Sequence, residues 1–361
     1  MSMSSKQASA ASSTTTADAG RKGAPTKKRK QGRHRLWLKL SAVALGVYLA
    51  VLVGLVVHWC KQPPTFDVTA RVEQEAAALG GEPRPGAAMV TAAIGVGETL
   101  LEKPGGFIHN DRLPPGLFLD DCPSWECGVL MALRDAVRTL RNDFTRAQTQ
   151  SAENLDIKRA ETRFAIDQGA WLFPAPEDEY REGIEALRDY LADLSTGRLT
   201  SGLFLPRPEN LSAYLALVEK RLGHFGVRLS ASIADADLTD MLGDGAGQIL
   251  SGGMADQPLD QTPSNEVDDV FYCARGYSWA FLHFVQAFAI DFAPALEDRD
   301  AFSIVQQMER DLRRAIKPMS SPVVLNGNGY GILANHSLVI ASYVGRVNAS
   351  VIDLRLLLQQ G

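Results

Sequence analysis

Cysteine is scarce in this sequence: four in 361 residues, at 60, 122, 127 and 273. A small domain stapled by disulfides is thereby excluded. The six histidines, at 34, 58, 109, 224, 283 and 336, never take an H-x-x-x-H or HExxH spacing. A metallohydrolase helix of that type is therefore absent. No second Cys/His pair stands near Cys122 and Cys127 to complete a set of zinc ligands. Period-two alternation and internal repeats are also lacking, which leaves neither a sheet nor a solenoid to predict. Gly327-Asn328-Gly329-Tyr330-Gly331 lacks both a preceding strand and the G-x-G-x-x-G spacing, so it reads as a turn and helix start. Nothing in the sequence implies a cofactor or a metal.

Charge is unevenly spread. Residues 1–39 carry ten Lys/Arg and one Asp, a sum of +9; residues 40–361 carry 27 Lys/Arg and 41 Asp/Glu, a sum of −14. An acidic bulk argues against nucleic acid as a partner. Leu40 to Trp59 contains no Lys, Arg, Asp or Glu. At about 1.5 Å per residue these twenty residues span roughly 30 Å, the thickness of a bilayer's hydrocarbon core. Trp37 and Trp59 mark its ends, where indole rings favour the interface. A cleaved signal peptide would have a shorter apolar run and a small-x-small site. Here the bulky His58 and Trp59 precede Cys60, which also argues against lipidation of that cysteine. Residues 40–59 read as an uncleaved transmembrane helix with the lipid bilayer as its partner. Nine Lys/Arg lie between Arg21 and Lys39, and only Lys61 and Arg71 follow closely. This asymmetry predicts a cytoplasmic N-terminus and an extracytoplasmic bulk. Lys27 to Lys30 reads as a topogenic flank rather than a nuclear localisation run, and residues 1–20 read as a disordered tail.

The expected fold class is all-α: a basic cytoplasmic tail (1–39), the span (40–59), a first helical part (66–238), a Gly/Asp/Ser/Pro-rich linker or loop (239–269) and a second helical part (270–361). The two parts are able to share one core. Val129, Leu133, Val137, Leu140 and Phe144 recur at helical spacing, which predicts a helix beginning near Cys127 with Pro123 just ahead. Tyr180, Ile184, Leu187, Leu191 and Leu194 mark a helix over 175–194 whose start carries Pro176 and three acids. Further stripes run through Leu211 to Phe225 and through Phe302 to Ile316, and a last helix is expected from about Ile332 to Leu358. Lys103 to Asp121, with three Pro and three Gly, reads as a structured loop.

Several constellations bear on chemistry. Cys122 and Cys127 are candidates for a disulfide, with each other or with Cys273, or for simply packed thiols; a redox pair would more often be spaced C-x-x-C. Asp120, Asp121 and Glu126 surround Trp125. A carboxylate pair there suits acid–base work on a glycan, against the plainer reading of acids favouring a helix N-terminus. Gly276-Tyr277-Ser278-Trp279-Ala280 nearly matches a nucleophile elbow, but Ser278 falls inside an apolar helix. Residues 276–290 hold no Lys, Arg, Asp or Glu. Trp279, Phe284 and Phe288 there belong either to a core helix or to a surface for membrane or partner. Arg134, Arg138 and Arg141 form a stripe able to grip anionic head groups or a partner's acids, or to pair with neighbours.

Lys103-Pro104-Gly105-Gly106, Asn110-Asp111, Pro114-Pro115-Gly116, Trp125-Glu126, Arg134-Asp135, Asp143-Phe144 and Glu179-Tyr180-Arg181-Glu182-Gly183 carry a family likeness. Over most of the chain after the span, the sequence resembles a proteobacterial family of single-pass inner-membrane proteins known only as a domain of unknown function. That resemblance implies a Gram-negative host and a periplasmic location, but no activity, cofactor or catalytic residue. Cys122 and Cys127 are not part of the pattern. The expected role is a non-catalytic envelope binding or scaffold protein with an envelope protein as partner. The alternative is a periplasmic hydrolase of cell-wall glycan using Glu126 with Asp120 or Asp121.

Overall fold

The computed structural model describes residues 28–145, 153–171, 173–197, 203–231, 266–319, 321, 323–327 and 332–360. Helix α1 (Lys28–Trp59) contains Leu36–Trp59, 24 residues long and apolar enough to cross a membrane, with none of its apolar window buried. The chain divides into two units, one ending at Val51 and one beginning at Leu52. The second unit is helical throughout. Among the described residues it has no strand, only an isolated bridge between Asn326 and Asn335.

Helix α2 (Val68–Ala78) starts on Asp67, whose carboxylate accepts from the Ala70 N–H at 3.2 Å. Helix α3 (Ala87–Glu102) is almost wholly buried as far as Gly97, because its Ala, Val and Gly residues present no polar face to solvent. Helix α4 (Asp121–Thr139) runs on into one π-helical turn, Leu140–Phe144. It starts six residues before the expected Cys127. Pro123 sits in its first turn, where the missing N–H has no intrahelical acceptor to lose. Helix α5 (Leu155–Phe164) is capped by Asn154 and packs on α6 (Pro176–Thr196). Helix α7 (Pro208–Ser230) packs on the last helix, α11 (His336–Gln359). Between them in sequence come α8 (Val267–Asp291), the five-residue α9 (Ala293–Glu297) and the amphipathic α10 (Phe302–Ala315). The loop expected at 239–269 lies outside the described residues as far as 265; Asp268 and Asp269 open α8.

A single apolar core draws on both sequence parts. Phe144 of the first part meets Phe292 of the second at 5.3 Å between ring centroids, and Phe204 joins both. At the centre α4 crosses α8 backbone to backbone. A Cβ on Gly128 would lie 1.9 Å from the Cys273 carbonyl oxygen, and one on Gly276 would lie 2.0 Å from that of Trp125. Each helix therefore needs its glycine where the other's main chain passes. Trp279, Phe284 and Phe288 are fully buried in this core. The core reading therefore describes 276–285, 287 and 288, while Ile290 at the helix end is exposed; Trp279, Phe284 and Phe288 offer no surface to a membrane or partner. Ser278 donates to the Ala274 carbonyl within α8 at 2.8 Å, so no nucleophile elbow exists there.

Asp291, at the end of α8, is the cap of α3. Its carboxylate accepts from the backbone N–H groups of Gly86 (2.8 Å), Ala88 (3.3 Å) and Met89 (2.7 Å). Burial pushes the Asp291 carboxyl up to about 7 against the pull of those three donors. His283 is drawn down to about 3 by burial. It is neutral, with Nδ1–H directed at the Trp279 carbonyl and Nε2 accepting from the Phe66 N–H at 3.2 Å.

Two outcomes follow. Gly128→Ala should lower unfolding stability by about 3 kcal/mol, since a backbone must move. Gly226→Ala, on α7 with open space around it, should change stability by less than about 1 kcal/mol, in the stabilising direction. Denaturant unfolding checks both. Because the folded state holds the Asp291 proton more tightly than the unfolded chain, this group's stabilisation is complete below about pH 4 and is lost as pH rises through 7. From pH 4 to 7 the native protein should lose up to about 4 kcal/mol more stability than Asp291→Asn, read from unfolding curves at each pH.

Candidate functional site

The loop between α3 and α4 is fixed by one buried acid. Glu126, on the first turns of α4, has no exposed side-chain surface and pairs with Lys103 Nζ at 2.6 Å. Its oxygens also accept from the backbone N–H groups of Ile108 (2.9 and 3.1 Å) and His109 (2.8 Å). Lys103 Nζ donates further to the Gly106 carbonyl at 2.6 Å. Burial pushes the Glu126 carboxyl upward, while Lys103 and the two N–H donors pull it back. Glu126 is wholly buried, does not line the cavity described below, and spends its oxygens on Lys103 and the loop's N–H groups.

The other candidate acids face elsewhere. Asp120 occupies the N-cap position of α4 without making a side-chain cap bond. Its carboxyl is raised by partial burial and by Asp269 and Asp268. Asp121, in the first turn, is pushed up to about 6 by burial and by Asp268, opposed by a hydrogen bond from Tyr272. These two acids are thus raised by Asp268 and Asp269 at the start of α8, whereas Glu126 bonds the loop.

The arginine stripe is engaged inside the chain. Arg134 donates to the carbonyls of Phe164 (2.6 Å) and Ile166 (2.8 Å) at the end of α5. Arg141 pairs with Glu153 and Glu161, and the more exposed Arg138 lies 3.7 Å from Glu161. The plainer reading, pairing with neighbours, describes all three.

The structure separates Cys122 from Cys127. Cys122 lines one cavity with Cys60, the residue after α1, while Cys127 stands beside Gly128, where α8 passes at Cys273; all four are free thiols. Cys122 also packs with Ile108 and Leu119 against Val56 and Trp59 of the last turns of α1. Beside them opens a cavity of about 390 Å³ lined by Trp59, Cys60, Lys103, Asp121, Trp125, Tyr272 and Arg275, among others. Arg275 is buried, donates to Gln62 Oε1 (2.7 Å) and the Ile316 carbonyl (3.1 Å), and has no ion pair among the described residues.

Lys103 entered the sequence reading only at the edge of a loop and in the family likeness, and Asp291 and Arg275 only as charged flanks of the apolar helix, none of them as a site residue. A lone cation in a stretch of Gly and Pro, and a lone Arg just before fifteen uncharged residues, are the signals that point to the first and last. Among the described residues no group of three or more His, Cys, Asp or Glu side chains is placed to hold a metal ion.

Lys103→Met should cost about 3–5 kcal/mol, because it strands a buried carboxylate. The double change Lys103→Met/Glu126→Gln should recover part of that loss. Urea unfolding followed by tryptophan fluorescence separates the two.

No curated protein and no solved structure matches the chain. A family of uncharacterized proteins conserved in bacteria, DUF2333, matches residues 30–361. That match spans nearly all of the sequence, including helix α1 from Lys30 on, and the chain therefore belongs to this bacterial family.

Proposed function

We propose that this is a single-pass inner-membrane protein whose periplasmic helical domain binds another envelope protein. The exposed apolar side chains of two neighbouring loops carry this reading. Phe173 is 98% and Trp171 60% exposed on the loop before α6. Leu113 (77%) and Leu117 (56%) stand out from the loop between α3 and α4. Asn110 ties these loops together, donating to the Ala170 carbonyl at 3.2 Å and to Glu177 at 3.1 Å. Large apolar groups exposed on these loops suit a protein interface better than open solvent. The second loop is rooted at Ile108 and Leu119 against Val56 and Trp59. A partner seated here would therefore sit close to the membrane. The basic residues before the span support a cytoplasmic N-terminus.

The test is cross-linking of intact cells with the tagged chain at native level, followed by mild-detergent purification against an anchor-only control. The expected result is one near-stoichiometric envelope protein, reduced at least tenfold by Trp171→Glu/Phe173→Glu, a variant that leaves the far-UV circular dichroism unchanged. A partner indifferent to that variant, or none above the control, overturns the reading. A C-terminal alkaline phosphatase fusion should be active if the bulk is periplasmic.

A further inference from the structure

The chain's four cysteines fall into two neighbouring pairs. Cys60 and Cys122 line one cavity at the foot of α1, and Cys127 and Cys273 lie where α4 crosses α8 beside Gly128. Independent packing places each pair. Val56 and Trp59, just before Cys60, pack on Cys122, and both thiols line the same cavity. At the second site the backbones themselves touch, Gly128 lying against the Cys273 carbonyl. Cys60 and Cys273 come from stretches remote from α4, and each lies beside a different cysteine of that helix. Pairing of Cys122 with Cys127 is opposed by the helix: five residues at about 100° each leave them roughly 140° apart around α4.

We propose that the chain closes two disulfides, Cys60–Cys122 and Cys127–Cys273, by exchange with a disulfide-bearing oxidant of the extracytoplasmic space. This rests on the periplasmic reading above for its setting, though not for its geometry. At the first site the exposed thiol is Cys60. As thiolate it attacks one sulfur of the oxidant, forming a mixed disulfide and releasing one thiolate of the oxidant. Cys122, deprotonated in turn, attacks the Cys60 sulfur, closes the Cys60–Cys122 bond and releases the second thiolate. The two protons pass to solvent and onto the released thiolates, and the two electrons reside on the oxidant's sulfurs. The same sequence at the second site starts from Cys127. Cys60 and Cys127 are the better nucleophiles, since the hydrogen bond from each one's partner lowers its thiol pKa, that of Cys127 to about 6. The first bond would fasten the end of the membrane helix to the start of α4; the second would fasten α4 to α8. Being half-buried, the second pair should close more slowly.

The test uses the full-length chain purified from membranes with free thiols blocked at lysis, then digested without reduction for mass spectrometry. The expected result is two linked peptide pairs, 60 with 122 and 127 with 273, and a melting temperature lowered by roughly 10 °C on reduction. Cys60→Ser should leave 127–273 closed and Cys122 alkylatable. A second arm oxidises the reduced, purified chain in oxidised glutathione. If thiols free in cells close into the same pairs there, the pairing stands and the periplasmic reading falls. Failure to close in that buffer, or a 122–127 link, overturns the proposal.

Discussion

The crossing of α4 and α8 is the constraint on which the rest of the second unit depends. Two helices approach this closely only where neither places a Cβ between them, and Gly128 and Gly276 meet that condition reciprocally. The approach brings Trp125 to 5.4 Å from Trp279 and lets α8 pass through the middle of the core, where its side chains are buried almost all round. It fixes the end of α8 as well. Asp291 must emerge where α3 begins, because its carboxylate supplies the cap that α3 lacks in its own sequence. One contact between main chains thus sets the position of three helices.

Buried charge follows from this frame. Glu126, Asp135, Asp291 and Asp311 are all buried, and each is answered locally: by Lys103, by Arg221 (2.9 and 3.2 Å), by three N–H groups, and by Arg314 and Arg346. The acidic bulk is therefore not acidic in its interior, where each carboxylate has its own donors. Desolvation offsets much of the attraction in such buried charge contacts. Replacing one member alone is the damaging change.

The regular helices were legible because their burial is one-sided. The stripes of α4, α6 and α7 named from sequence are all buried, from Val129 to Phe144, Tyr180 to Leu194 and Leu211 to Phe225. Helix α5 escaped notice because its stripe is only Ile157, Ala160 and Phe164 among charged residues. Helix α3 read poorly for the opposite reason: buried on every side, it shows no contrast for periodicity to detect. The candidate acids were legible as a cluster, but their directions were not. Direction depends on where α4 starts. Moving that start from Cys127 to Asp121 puts Cys122 and Glu126 on one face and turns Cys127 to another.

Helix α4 then distributes its residues among three neighbours at about 100° per residue. Cys122 and Glu126 face the loop and the foot of α1; Trp125 and Gly128 face α8; Arg134 and Arg141 reach the end of α5 and its acids. A displacement of the last turns of α1 therefore meets α4 directly through Val56 and Trp59, and α4 can yield only by disturbing the glycine crossing or the caps on α5. The exposed side chains at Leu113 and Leu117 lie on the same loop that Glu126 holds. A partner docked on that loop, as proposed above, would act on the connection that Val56 and Trp59 make between the end of α1 and α4, a connection the buried Lys103–Glu126 pair holds in place.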